Sequence, residues 1–168
     1  LAYNNYEIGR SLKEANSEDV VKKILEEAEV NKCKILIPED CLVSKSFEGE
    51  AVSKNIKFVE KDDIILDVGP KTIKKIEKII DNSNTVMWNG PAGYFENKNF
   101  ALGTNAIAQK ISENTKNKSL VSVLGGGDTV SAINKSGLEL SFTHLSTAGG
   151  AFLEYLEGKD LPGLSVLK

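Results

Sequence analysis

A run of three glycines followed by aspartate and threonine, residues 125–129 (GGGDT), is the stretch best suited to chemistry. It follows an apolar, β-branched segment at residues 120–124 that predicts a strand, and residues 130–138 predict a short helix ended by Gly137. A strand, a glycine turn and a helix start in this order present unpaired backbone N–H groups, which suit an anion. Because Asp128 would repel a bare phosphate, it indicates a bridging cation, Mg²⁺ carried in with a nucleotide.

The same run has a plainer interpretation that these residues alone leave equally open. Asp128 could be the N-cap of the helix, and the glycines could form only a tight turn. Two further glycine-bearing segments bear on the choice, at residues 89–93 (NGPAG) and 147–150 (TAGG), because each follows a predicted strand. Ligands of parallel sheets bind beyond the carboxyl ends of the strands, so we expect the three segments to converge at one sheet edge.

Strands and helices alternate along the sequence. The predicted strands are residues 35–37, 64–68, 85–88, 120–124 and 142–145. The predicted helices are residues 17–30 with Ser17 as N-cap, 70–80, 101–113, 130–138 and 149–156. We expect residues 41–54 to be irregular, residues 56–59 to form a short antiparallel strand and the tail from Gly158 to be a surface loop. This order indicates an α/β fold with a doubly wound, mostly parallel sheet covered on both faces, a Rossmann-like three-layer arrangement.

Composition narrows the classes of function. The 168 residues are 40% hydrophobic and 27% charged with a net charge of −3, and no basic cluster is interleaved with aromatic residues. Nucleic acid and anionic membrane are therefore not expected as partners. No signal peptide or membrane-length apolar run is present, so we expect a cytoplasmic protein in which Cys33 and Cys41 are buried, reduced and apolar in role. His144 is the only histidine, and we expect it to be a hydrogen-bonded structural residue.

Two common nucleotide-binding motifs are missing from the sequence. It contains neither G-x-x-x-x-G-K-(S/T) nor G-x-G-x-x-G, so it is not a P-loop protein and has no dinucleotide fingerprint. Instead, five segments in order resemble the phosphoglycerate kinase family. These segments are 4–12 (NNYEIGRSL), 66–70 (LDVGP), 88–96 (WNGPAGYFE), 125–129 (GGGDT) and 146–163, which contains STAGGA, LEGK and LPG.

The resemblance implies reversible phosphoryl transfer between 1,3-bisphosphoglycerate and ADP, giving 3-phosphoglycerate and Mg-ATP. It places residues 1–168 in an incomplete C-terminal nucleotide-binding domain, and the N-terminal domain that holds phosphoglycerate is outside these residues. We therefore expect a monomeric fragment, consistent with a start at Leu1 rather than Met, that binds ADP or ATP with Mg²⁺ but does not turn over alone.

The resemblance also implies residue roles. The residues that it assigns to nucleotide binding are Leu12, Leu66, Asn89, Pro91, Gly93, Tyr94, Glu96, Gly126, Gly127, Asp128 and Thr129. Within this set the adenine wall is Leu12, Leu66, Gly93 and Tyr94. Asp128 would contact Mg²⁺ directly or through water, and Glu96 would accept hydrogen bonds from the ribose hydroxyls. Gly149 and Gly150 would be the catalytic pair that faces the phosphoryl group during transfer.

Four residues depart from the family pattern. Ile65 and Ala148 stand where the family commonly has glycine, Tyr94 where it has valine, and Phe152 where it has serine. None of these changes removes a charged group, so we expect nucleotide binding to survive. Two alternatives remain open: a catalytically decayed ADP/ATP-binding module, and a non-enzymatic α/β scaffold in which all three glycine turns are structural.

Overall fold

Two three-stranded sheets organise the fold of the computed structural model, which describes residues 1–166. The first sheet is antiparallel in the order β2-β1-β3, and its strands are β1 (Asp40–Ser44), β2 (Val52–Asn55) and β3 (Ile64–Val68). The second sheet is parallel in the order β4-β5-β6, and its strands are β4 (Thr85–Asn89), β5 (Val121–Gly125) and β6 (His144–Ser146). The α/β fold class with a parallel sheet is thus confirmed, and an antiparallel sheet accompanies it.

Helices occupy most of the connections between strands. They are α1 (Glu18–Val30), α2 (Pro70–Asp81), α3 (Leu102–Asn117), α4 (Gly127–Ser136), α5 (Gly150–Leu156) and α6 (Pro162–Ser165). Single 3-10 turns occur at Ala2–Asn4, Ile56–Phe58 and Lys98–Phe100. None of the helices in residues 1–166 combines the length and the apolar character that crossing a membrane requires.

The main core lies on one face of the parallel sheet. Trp88 of β4 and Leu124 of β5 are paired in register, so their side chains point to the same face. They are buried there against Ile80 of α2, Ile111 of α3 and Ile133 of α4. The opposite face of the sheet was predicted to be covered as well, but it includes strand residues whose side chains are exposed.

Most strand and helix predictions are confirmed to within a few residues. The 3.6-residue spacing of isoleucines locates α2, which begins at Pro70 as expected for a residue without an N–H group. Gly137 ends α4 in the left-handed conformation, also as predicted. Ser17 precedes α1, but its side chain makes no capping hydrogen bond.

Three predictions before residue 60 were wrong. Residues 35–37 form no strand, residues 41–54 contain β1 and β2 rather than irregular chain, and residues 56–59 contain a 3-10 turn. All five residues of β1 are buried, because this strand pairs with β2 on one side and β3 on the other. A central strand so short gives no alternating pattern to detect.

Two smaller predictions also differ from the structure. The tail contains the short helix α6 and is not only loop, while residues 167 and 168 lie outside the described part. Both cysteines are free, and Cys41 is buried as expected, but Cys33 is exposed in the turn after α1.

Candidate active site

The three glycine-bearing turns meet at the carboxyl edge of the parallel sheet. Gly125, the last residue of β5, pairs with Asn89 of β4 and with Ser146 of β6. A Cβ atom added to Gly126 would lie 2.8 Å from Oδ1 of Asn89, and one added to Gly149 would lie 3.4 Å from Cα of Gly126. The spatial convergence predicted from the sequence is therefore observed.

A hydrogen bond joins the first two of these turns. The N–H of Gly90 donates to Oγ1 of Thr129, which is fully buried in the first turn of α4, at 2.8 Å. Gly126 is the N-cap of α4 and has φ of +96°, a conformation that residues with a Cβ atom rarely adopt. Asp128 is thus not the N-cap, contrary to the plainer interpretation of the glycine run.

The start of α4 combines free donors with a free carboxylate. No side chain caps this helix, so its first N–H groups remain available to an anion. Asp128 is exposed, and its carboxylate makes no hydrogen bond or ion pair with any residue in the range 1–166. A carboxylate oxygen of this kind fits a hard divalent cation that is also held by phosphate oxygens.

A mostly apolar cavity of about 680 Å³ lies between β3 and the segment that follows β4. Its volume is in the range of small-molecule sites. The cavity wall includes the predicted residues Leu12, Leu66, Pro91, Gly93 and Tyr94. Leu66 is buried, whereas Leu12 is 99% exposed and lies at the rim.

One continuous segment links the cavity to the sheet edge. Asn89 ends β4 at the edge, and residues 91–94 line the cavity. Tyr94 donates its N–H to the carbonyl oxygen of Leu66 at 2.7 Å. The N–H groups of Ala92 and Gly93 donate to Oγ1 of Thr104 on α3 at 3.0 and 3.3 Å.

Asp67 is a buried carboxylate beside this segment. Its Oδ2 accepts a hydrogen bond from the N–H of Gly103 and its Oδ1 one from the N–H of Val68, both at 2.8 Å. Burial raises the pKa of Asp67 to about 6, although the hydrogen bonds from backbone N–H groups oppose that shift. A Cβ atom at Gly93 or Gly103 would overlap the carboxyl group, which explains glycine at both positions.

Sequence reasoning missed Phe47, Asp67 and Thr104 around the cavity. The ring of Phe47 meets that of Tyr94 edge to face, with centroids 5.2 Å apart. Asn97 holds the Phe47 loop by donating from Nδ2 to the Phe47 carbonyl oxygen at 2.8 Å. The available signal was an aromatic residue within the otherwise polar stretch 45–50.

The remaining predicted residues lie in open surroundings. Glu96 is exposed, does not line the cavity and has no hydrogen-bond or ion-pair partner in the described part of the chain. Gly127 and Gly150 have empty space where a Cβ atom would stand. His144 pairs with Val123 through its backbone in β6, but its imidazole is exposed and has no hydrogen-bond partner among residues 1–166.

The departures from the family pattern can also be located. Ile65 and Tyr94 both line the cavity. Phe152 of α5 packs against the sheet edge, where a Cβ atom on Gly125 would lie 2.8 Å from its ring. Ala148 does not have a positive φ, so an alanine is unstrained there.

Comparison with known proteins gives one consistent result. The family model described as "Phosphoglycerate kinase" matches residues 1–159. The chain is 42% identical to the phosphoglycerate kinase of Dinoroseobacter shibae over 100% of its own length and 43% of the relative's. It is 46% identical to that of Dictyoglomus turgidum over 97% of its length and 41% of the relative's. The chain therefore spans less than half the length of these relatives.

Solved structures show the same likeness in three dimensions. The chain matches a phosphoglycerate kinase from Coxiella burnetii with a TM-score of 0.90 and 38% identity, over 100% of this chain and 43% of that one. It matches one from Pyrococcus horikoshii with a TM-score of 0.73 and 30% identity, over 99% and 41% of the two chains.

Proposed function

Because the chain belongs to the phosphoglycerate kinase family, a family of glycolytic phosphotransferases, we propose that it carries the nucleotide site of that enzyme. The reaction is phosphoryl transfer between 1,3-bisphosphoglycerate and ADP, giving 3-phosphoglycerate and Mg-ATP. The observation that carries this proposal is the meeting of three glycine turns at an uncapped helix start, and the first of these turns continues into the wall of an apolar cavity.

The cavity would take the base and the sheet edge would take the phosphates. Leu12, Leu66, Gly93 and Tyr94 form an apolar wall of the kind that suits an adenine ring. The segment from Asn89 to Pro91 would then lead the ribose and phosphates towards α4. Glu96 is exposed close to this wall in sequence, and its free carboxylate would accept the ribose hydroxyls.

Phosphates would be bound by the backbone at the start of α4. Gly126, Gly127 and Thr129 place N–H groups at the positive end of the helix dipole. Asp128 would hold the Mg²⁺ that arrives with the nucleotide, and this ion neutralises charge that develops on the phosphates. Gly149, which lies next to Gly126 at the same edge, and the following Gly150 would face the phosphoryl group during transfer.

The reaction needs no general base at this edge. The attacking oxygen belongs to an ionised phosphate or carboxylate, so no proton has to be removed. Phosphoryl transfer depends on positioning and on charge stabilisation, which glycines, N–H groups and one aspartate can supply.

Turnover by the chain alone is a separate matter. Because it spans 43% of its relatives, we propose that phosphoglycerate is bound by a part of the enzyme outside these residues and that the chain alone is inactive. We further propose a cytoplasmic monomer, in keeping with a glycolytic role. A coupled assay with Mg-ATP and 3-phosphoglycerate tests whether the chain alone is inactive, and a rate near that of an intact enzyme would refute that proposal.

Isothermal titration with ADP, with and without Mg²⁺, tests the nucleotide site. Asp128→Ala is expected to weaken Mg-ADP binding about tenfold and to leave binding without Mg²⁺ nearly unchanged. Asp19→Ala is the matched control, because Asp19 is also an exposed acidic residue in the first turn of a helix. Equal effects of the two substitutions, or no binding by the wild-type chain, would overturn the proposal.

A catalytically decayed nucleotide-binding module is the second candidate. It is favoured by Ile65 and Tyr94, two bulky residues that line the cavity where the family has smaller ones. Joining the chain to the N-terminal part of a relative separates the two candidates, because turnover returns only for a fragment of an active enzyme.

A further inference from the structure

The cavity wall formed by residues 91–94 is hydrogen-bonded to two elements, and the side chain of Asp67 connects these two supports. On the first side, Tyr94 is hydrogen-bonded to Leu66 of β3. On the second side, Ala92 and Gly93 are hydrogen-bonded to Thr104 of α3. Asp67 follows Leu66 on β3 and accepts the N–H of Gly103, the residue before Thr104. It therefore fixes the distance between the two supports.

We propose that Asp67 is a positioning residue for the cavity: its carboxylate locks β3 to the start of α3 and so sets the place of the wall segment 91–94. Asp67 also touches that segment directly, because there is no room for a Cβ atom between Gly93 and its carboxyl group. Loss of the carboxylate would let the first turn of α3 move with Thr104, and Gly93 and Tyr94 would follow. This inference rests on the proposed nucleotide site only for its binding measurement.

The chain supplies a matched control for this role. Asp40 is also a buried strand aspartate that accepts N–H groups at a helix start, from Lys71 at 2.9 Å and Thr72 at 2.8 Å on α2. It also faces a glycine, Gly69, where a Cβ atom would overlap it. Asp40 does not line the cavity. Asp40→Asn and Asp67→Asn therefore remove the same kind of interaction, but only the second one lies beside the wall.

The first measurement needs neither a variant nor a ligand. Amide resonances of Gly93 and Gly103 in the wild-type chain are expected to shift together with pH, with a midpoint near the Asp67 pKa of about 6. The causes of that pKa are burial and hydrogen bonds from backbone N–H groups. Arg10 and Lys13 line the same cavity, but no charged side chain in residues 1–166 is among these causes. Gly93 resonances without such a midpoint would overturn the proposal.

The second measurement compares variants by the same spectra and by adenosine titration. Adenosine is the probe because it has no phosphate that titrates near neutral pH. Asp67→Asn is expected to abolish the pH shift at Gly93 and to weaken adenosine binding about tenfold, while Asp40→Asn stays within about twofold of wild type. Equal effects of the two variants on adenosine affinity would overturn the proposal.

A further pair of variants covers the case in which Asp67→Asn does not fold. Thr104→Val removes the hydroxyl that accepts the N–H groups of Ala92 and Gly93, and Thr104→Ser keeps it. We expect the valine variant to shift the Gly93 resonance and to weaken adenosine binding. The serine variant should keep the wild-type resonance and the wild-type affinity. If wild type binds neither adenosine nor Mg-ADP, the proposed function fails, while the pH titration of Gly93 still decides the role of Asp67.

Discussion

At the scale of single residues, the shape of the cavity depends on an aromatic pair. Tyr94 packs against the core formed by Leu42, Ile64, Leu66 and Phe100. Its ring also meets the ring of Phe47, which is 48% exposed. The ring of Tyr94 is therefore packed between this core and the ring of Phe47.

Substituting Tyr94 tests whether the ring serves the ligand or obstructs it. We expect Tyr94→Val to weaken adenosine binding about threefold to tenfold, because an aromatic contact contributes about 0.5–1.5 kcal/mol beyond buried area. Tyr94→Phe should bind like wild type. Tyr155→Val on α5 is the control, since Tyr155 is 60% exposed. Tighter binding by Tyr94→Val would instead favour the decayed module. Titration followed by NMR measures all three affinities.

Two adjacent glycines of the GGGDT run should respond to alanine in opposite ways. Gly126 has φ of +96° and lacks room for a Cβ atom beside Asn89, so Gly126→Ala should lower the free energy of unfolding by about 1–3 kcal/mol. Gly127 has open space and lies in the first turn of α4. Gly127→Ala should therefore be neutral or stabilising by up to about 1 kcal/mol. Urea denaturation measures both, and equal losses would contradict the observed turn.

At the scale of elements, an ion-pair cluster ties the β1–β2 hairpin to the turn before β3. The carboxylate of Asp63 is buried and receives Lys45 at 2.8 Å and Lys54 at 2.9 Å. Burial alone would raise the pKa of Asp63, but the two ammonium groups outweigh it and lower the pKa to about 2. Glu60 contacts both lysines and Asp62 contacts Lys45, so three carboxylates and two ammonium groups form one charge network.

The sign of the pH effect follows from that lowered pKa. Asp63 is ionised in the folded chain down to about pH 2, below its ordinary value of 3.8, so its contribution is present above that value and disappears as the pH falls towards 2. We expect this contribution to be about 1 kcal/mol, because Lys45 is half exposed. Urea denaturation should show a smaller loss between about pH 5 and pH 2 for Asp63→Asn than for wild type. An identical loss in both proteins would exclude the cluster as its source.

Element predictions succeeded where the sequence signal is local. The isoleucines of α2 repeat at helical spacing, and the glycines after β4 and β5 follow clear apolar runs. The prediction at β1 failed because all five residues of this short strand are buried between β2 and β3, which leaves no alternating pattern. The same distinction applies to the site: its glycine edge could be predicted, whereas Phe47 and Asp67 reach the cavity, and Thr104 reaches the wall segment 91–94, only through tertiary packing.

At the scale of the whole molecule, the parallel sheet is asymmetric. Its helix-covered face carries Trp88 and Leu124, and its other face carries Met87 and Val121, which are 53% and 44% exposed. α1 buries none of its residues either. Parallel sheets are usually covered on both faces, so apolar surface that other α/β proteins bury is open in residues 1–166.

Consecutive residues of β4 should therefore differ sharply in their effect on stability. Trp88→Ala removes a buried side chain from the main core and should cost about 3–5 kcal/mol of unfolding free energy. Met87→Lys places a charge on the open face and should change stability by less than about 0.5 kcal/mol. Urea denaturation together with sedimentation at two protein concentrations measures both effects. A large, concentration-dependent loss in Met87→Lys would mean that copies of the chain cover this face in solution, because only a covered methionine makes the added charge costly.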